Sequence, residues 1–150
     1  MYLSKFIVMK KIFFSLIISL LIVVSIQAQS NDEKAIVKIL SEQDAAWNRG
    51  DIDDFMKGYW KNDSLMFIGK SGITYGWQNT LNNYKKRYPD TTAMGKLNFE
   101  YIEMKQLSAN YFFVVGKWYL TRTIGNLEGA FTLLLRKINN IWVIVKDHSS

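Results

Sequence analysis

Cysteine is absent from the 150-residue chain. That absence excludes disulfide frameworks, thiolate zinc sites, iron–sulfur clusters and cysteine nucleophiles. Histidine occurs once, at His148, so a multi-histidine metal site is excluded as well. Proline occurs once, at Pro89. There is no internal repeat, and no low-complexity linker marks off a second domain. Apolar residues make up 49% and charged residues 21% of the sequence, the balance of a globular chain and not of a disordered one. The length suits a single domain.

The formal charge of +6 overstates the basic character. Lys5, Lys10 and Lys11 stand in the first 28 residues, which hold no acid; the remainder has 16 basic and 13 acidic side chains, spread along the chain. A nucleic-acid binder concentrates its charge on one face, so no nucleic-acid partner is expected.

Residues 12–26 are an apolar run preceded by Lys10-Lys11 and followed by Gln27-Ala28-Gln29. A basic start, an apolar stretch and a small residue before polar sequence predict a secretory signal peptide over residues 1–28, cut after Ala28. The run of about 15 residues is short of the roughly 20 that a spanning helix needs, which argues against an uncleaved anchor. Met9 opens a Met-Lys-Lys start of its own, so residues 1–8 are a doubtful beginning. The remaining domain, 29–150, is expected to be exported, periplasmic or secreted, from a bacterium, with no membrane partner after cleavage. Asn62-Asp63-Ser64 is a formal glycosylation sequon, discounted because the leader reads as bacterial. An exported domain without cross-links needs a large core. The five tryptophans, seven tyrosines and six phenylalanines beyond residue 28 supply one.

Asn31 and Asp32 are expected to cap a helix from about Glu33, with Ile36, Ile39, Leu40, Gln43 and Trp47 forming its apolar stripe. Gly50 suits the left-handed position that closes such a helix. Asp51 can cap a short second helix from Ile52 to Tyr59 or Trp60. Two brief strands, Leu65 to Ile68 and Ile73 to Tyr75, flank a turn at 69–72. A third helix is expected from Trp77 to Arg87, stopped by Pro89. Four long strands follow: Lys96 to Leu107, Tyr111 to Thr123, Glu128 to Ile138 and Ile141 to His148. Asn139-Asn140 is a good two-residue hairpin turn, because asparagine tolerates positive φ. The fold class is α+β, three N-terminal helices packed on an antiparallel sheet.

Both faces of the sheet are apolar in places. Phe112, Val114, Trp118 and Leu120 point one way, and Tyr111, Phe113, Val115 and Tyr119 the other. A sheet with one wet face alternates more cleanly. Three helices cover one face only, so the other is expected to meet a second copy in a homodimer. The alternative is an overfull core in a monomer.

The order of these elements resembles a known family. The segment Trp47-Asn48-Arg49-Gly50-Asp51-Ile52-Asp53-Asp54-Phe55 is similar to the end of helix one in SnoaL-like domains of the nuclear-transport-factor-2-like (NTF2-like) superfamily. Tyr59 to Ser64 resembles the aromatic and Asp segment that enters their first strand. Gly76 matches the glycine before their third helix. The ending Ile141 to Ser150 resembles that of small secreted members of unknown function and of the association domain of calcium/calmodulin-dependent kinase II. The resemblance covers Asn31 to Ser150. It implies a cone whose curved sheet wraps helix one and encloses a cavity. Members include isomerases, dehydratases, cyclases and non-catalytic binding or assembly domains, so fold alone names no activity. Aligned on the isomerases, Gln43 stands where they keep an oxyanion-stabilising tyrosine, and Ile68 where they keep a carboxylate base. Isoleucine cannot abstract a proton, which argues against steroid isomerisation.

His148 can serve as a base near neutral pH. By strand alternation it shares the face of Trp142 and Ile144, at the mouth of a cavity if that face lines one; the plainer alternative is a terminal histidine bonded to a neighbour or to water. Asp51, Asp53 and Asp54 fit helix capping better than a metal site, and no metal or cofactor is expected. Lys85-Lys86-Arg87 reads as a solvated helix end. Trp47, Phe55, Tyr59, Trp60, Tyr75, Trp77, Tyr84, Trp118 and Trp142 are the candidates for a pocket wall, with core packing as the alternative for most of them. Three functions stay open: a binding domain for a small apolar or aromatic molecule, an enzyme of the cyclase, dehydratase or hydrolase type with His148 as base, or a homo-oligomeric assembly module.

Overall fold

A computed structural model describes residues 31–150. The signal peptide expected over 1–28 lies outside the described residues. Among the described residues helix α1 covers 31–48, so Asn31 and Asp32, expected as caps ahead of it, are themselves helical. Its buried side is Ile36, Leu40, Gln43, Ala46 and Trp47, a stripe at helical spacing. At its end, Gly50 adopts φ 85°. The Gly50 amide donates to the Trp47 carbonyl at 2.8 Å and the Asp51 amide to the Ala46 carbonyl at 3.0 Å. These two bonds close the helix in a Schellman arrangement, which needs the left-handed residue that glycine supplies. Asp51 then starts the next element, its carboxylate accepting from the Asp54 amide at 2.8 Å.

Helix α2 (Ile52–Phe55) runs into a 3-10 turn, Met56–Gly58, and ends there, short of the expected Tyr59. Strands β1 (Met66–Gly69) and β2 (Gly72–Tyr75) form a hairpin, and α3 (Trp77–Arg87) has the expected bounds. A further short helix, α4 (Thr91–Met94), follows Pro89; Asp90 caps it, accepting from the Ala93 amide at 2.8 Å. The four long strands are β3 (Lys96–Ser108), β4 (Tyr111–Thr121), β5 (Leu127–Ile138) and β6 (Ile141–Ser149). Asn139 and Asn140 both have positive φ, 50° and 63°, the backbone a two-residue hairpin requires.

The six strands form one sheet in the order β2-β1-β6-β5-β4-β3. The long strands make an antiparallel meander. The first hairpin joins it through a parallel pairing of β1 with β6, in which Phe67 stands beside Asp147 and Ile68 beside His148. Within the compact unit Ala35–Ser150, the helices pack on one face of this sheet. That inner face carries Phe112, Val114 and Leu120 from β4, Phe131, Leu133 and Leu135 from β5, and Trp142 and Ile144 from β6, all buried. Three side-chain bonds fix α1 against the end of α4 and the start of β3. Asn48 donates to the Leu97 carbonyl at 3.0 Å and accepts from the Leu97 amide at 2.7 Å, and Trp47 Nε1 donates to the Met94 carbonyl at 3.1 Å.

One irregularity in β6 decides what faces inward. Leu134 stands opposite Lys146 and the next residue, Leu135, opposite Ile144, so Val145 is an extra residue in β6. A bulge of this kind resets the alternation of everything beyond it. The sequence places His148 on the face of Trp142 and Ile144. In the structure Asp147 takes that face and is 3% exposed, while His148 is exposed on the other.

Candidate functional site

The inner face is not filled along its whole length. Between the C-terminal part of α1, α2, α3 and the sheet lies a cavity of about 700 Å³. Nine rings stand on its wall, Trp47, Phe55, Tyr59, Phe67, Tyr84, Tyr88, Phe99, Trp118 and Phe131, among aliphatic and polar side chains. Many of these rings meet edge to face. Trp47 lies 5.1 Å from Phe55 and 4.9 Å from Tyr88, Phe55 5.3 Å from Tyr84, Phe67 5.6 Å from Tyr84, and Phe99 5.4 Å from Phe131. Such contacts match the positive edge of one ring to the negative face of the next and hold each ring at a fixed angle.

The polar centre of the wall is Asp147. Tyr59 donates its hydroxyl proton to Asp147 Oδ2 at 2.6 Å, and Ser149 Oγ donates to Oδ1 at 2.7 Å. The Tyr59 proton being committed there, Tyr84 is the donor in the longer 3.5 Å contact between the two phenol oxygens. Burial raises the Asp147 carboxyl from 3.8 to about 6, against the lowering effect of the two hydroxyl donors and of the His148 charge. Burial and the Asp147 charge together push the Tyr59 and Tyr84 phenols up, so both stay protonated as donors. Among the described residues no lysine or arginine pairs with Asp147.

Two further polar groups belong to this wall. Gln43 is buried and donates to the Phe55 carbonyl at 3.0 Å, closing α1 onto α2. Trp118 Nε1 is buried with no hydrogen-bond partner, which is uncommon for an indole N–H. The exposed part of the wall comes from the β1–β2 turn and α3, with Lys70, Lys86 and Arg87, and from Glu128 of β5 and the terminal Ser150.

Of the residues singled out from the sequence, Trp47, Phe55, Tyr59, Tyr84 and Trp118 stand on the cavity wall. Trp60, Tyr75, Trp77 and Trp142 do not. Trp77 is half-buried outside the cavity, donating to the Met56 carbonyl at 2.9 Å with Lys61 5.0 Å from its ring. Trp142 is buried beside Phe112, 6.1 Å between centroids, in the filled part of the core. Tyr75 is 57% exposed on β2. Trp60 is half-buried, and its amide pairs with the Ile144 carbonyl at 2.9 Å. His148 is outside the cavity because of the Val145 bulge, and Ile68 faces the same way as His148.

The acidic triplet after α1 is structural. Asp51 is a cap, Asp53 pairs with Lys85 at 2.7 Å, and Asp54 pairs with Arg49 and Lys57. Lys85, Lys86 and Arg87 are all exposed, as expected of a solvated helix end; Lys85 makes its pair with Asp53 at the surface, and Lys86 and Arg87 border the cavity.

No protein-family model matches the chain, and no curated protein does. Solved structures do. The chain is similar to an NTF2-like protein of unknown function from Shewanella oneidensis MR-1, with 48% identity over 78% of this chain and 97% of that one and a TM-score of 0.75. It shares its fold with an NTF2-like superfamily protein from Salmonella enterica serovar Typhimurium (18% identity, 81% and 92% of the two chains, TM-score 0.64). A ketosteroid isomerase-like protein from Erwinia carotovora atroseptica has it too (21% identity, 78% and 93%, TM-score 0.62). The helix-on-sheet order and the near-complete coverage of the Shewanella protein at that identity lead to one conclusion: the chain belongs to the NTF2-like family and has its α+β cone fold.

Proposed function

We propose that the chain is an exported domain that holds one small apolar or aromatic molecule in this cavity. A single observation carries the reading. A hollow of about 700 Å³ is walled by rings and has a buried carboxyl group in its wall. Ligand sites run to about 300–1,000 Å³, mostly apolar with a few placed polar groups. The unpartnered Trp118 N–H supports the same reading, since an acceptor on a bound molecule would satisfy it.

An enzymatic reading rests on Asp147 and not on His148. A carboxyl group that titrates near 6 beside two phenols can take and return a proton near neutral pH. The exposed imidazole of His148 stands on the opposite face of β6.

The domain is proposed to act as a homodimer through the outer face of the sheet. Phe113, Val115, Thr132 and Leu134 lie side by side there, half-buried in the single chain, which favours a second copy as their cover. Export is proposed from the leader sequence alone. N-terminal sequencing of the exported form should begin at Gln29; a start upstream of residue 20 would contradict cleavage.

Native mass spectrometry of the gently purified protein tests binding and assembly together. A dimer carrying extra mass of a few hundred daltons is expected. A monomer that carries nothing and takes up no aromatic molecule would overturn both proposals.

A further inference from the structure

Among the described residues the Asp147 carboxylate makes no ion pair with a lysine or arginine, and the one cation that acts on it, His148, stands on the opposite face of β6. The two Asp147 oxygens accept from Tyr59 and Ser149 at 2.6 and 2.7 Å, both neutral hydroxyls. A buried charge is ordinarily paired with an opposite one, because two hydrogen bonds replace only part of the lost hydration. Around it stand Tyr59, Phe67 and Tyr84, whose ring faces carry negative potential. Rings and a carboxylate together favour one kind of guest, a cation with an apolar body. The rim argues the other way, since Lys70, Lys86 and Arg87 are exposed there and Glu128 is the acid among the exposed lining residues. Magnitude decides between them. Exposed charges are screened within about 8 Å at physiological salt, whereas a charge pair in a low-dielectric hollow is screened far less.

We propose that the cavity takes an organic ammonium ion, its charged head against Asp147 and its apolar body among the aromatic rings. The inference rests on the ligand-binding reading above and names the chemical class of the guest. The ammonium supplies a counter-charge on the cavity side and can donate to the lone pairs that Tyr59 and Ser149 leave free.

Three indole probes of similar size separate the possibilities: tryptamine (a cation), tryptophol (its neutral counterpart) and indole-3-acetate (an anion). Their affinities for the exported protein would be measured by calorimetry at pH 7.5 and physiological salt. Tryptamine should bind at least tenfold more tightly than tryptophol, with indole-3-acetate weakest. Asp147→Asn should remove the tryptamine advantage while tryptophol changes less than threefold. If that variant does not fold, the order of the three probes on the unaltered protein decides alone. Tryptophol or indole-3-acetate binding as tightly as tryptamine would overturn the ammonium assignment and leave the ligand-binding reading standing. Binding of none of the three would overturn both.

Discussion

The inner face of the sheet has two halves built from the same strands, and they solve the packing problem differently. In one, Val114, Leu135 and Ile144, together with Ile36 of α1, are 0% exposed and border no hollow. In the other, rings from α1, α2, α3 and β3 to β5 surround a hollow and a carboxyl group. Branched aliphatic side chains interdigitate and close a core at crystal-like density. Rings locked edge to face cannot collapse in that way, and several of these are tied at their polar ends, Trp47 to the Met94 carbonyl and Tyr59 to Asp147. The filled half supplies stability, and the hollow half gives some up for a site.

Truncation should separate the halves most sharply. Leu135→Ala opens a void in the filled half and should cost about 2–5 kcal/mol in equilibrium denaturation. Phe67→Ala removes a larger side chain that already borders open space, so it should cost clearly less. Equal losses would mean that the hollow is not a feature of the folded protein in solution.

The next effect is the pH dependence of the carboxyl group. Asp147 is raised from 3.8 to about 6 in the fold by burial, with Tyr59, Ser149 and the His148 charge opposing and Tyr84 facing the same cluster. Between those values the folded chain holds a proton that the unfolded chain has released. Stability from this group is therefore fully present below pH 4 and is lost as pH rises through 6. At about 1.4 kcal/mol per pH unit the loss is up to about 3 kcal/mol. Asp147→Asn should flatten the stability profile over that window relative to the unaltered chain, as read by denaturant midpoints at pH 4 to 8. An unchanged difference across the window would place the carboxyl group in water.

Tyr59→Phe keeps the ring and removes the donor to Asp147. It should cost about 1.5–3 kcal/mol at pH 7, the range for a hydrogen bond to a charged group, and move the Asp147 titration upward. His148→Ala is the smallest change. It lies outside the hollow and exposed, so stability should shift by less than about 0.5 kcal/mol, with ligand retention unaltered. Loss of the ligand in His148→Ala would show that the outer face of β6 takes part in the site.

Much of the fold was legible because local signals agreed with it. Trp77 and Pro89 bracket α3, Gly50 and Asp51 form the joint between α1 and α2, and Asn139-Asn140 form the tight hairpin. The inner face of β4 followed from alternation. The site was legible only in part, for a reason that lies in one residue. Ile141, Val143 and Val145 are apolar beside the equally apolar Trp142 and Ile144, so nothing in the residues marks where alternation breaks. The bulge at Val145 is set by pairing with β5 on one side and β1 on the other, a tertiary fact. It moved Asp147 into the cavity and His148 out of it. The parallel joining of β1 to β6 was likewise invisible, since no local motif specifies which strand a short hairpin will join. Trp142 sits in the filled core, Trp60 and Trp77 are half-buried and Tyr75 is exposed, because aromatic identity alone does not tell which ring borders open space.

The claim at the centre of this account is a carboxyl group held in an aromatic hollow away from water. Carbon-detected NMR of the Asp147 carboxyl group, titrated in the empty protein and assigned through Asp147→Asn, tests it most directly. A midpoint near 6 is the expected result. A midpoint near 3.8, the ordinary value for an aspartate, would mean that water reaches the group freely, and the hollow would lose its place as the site.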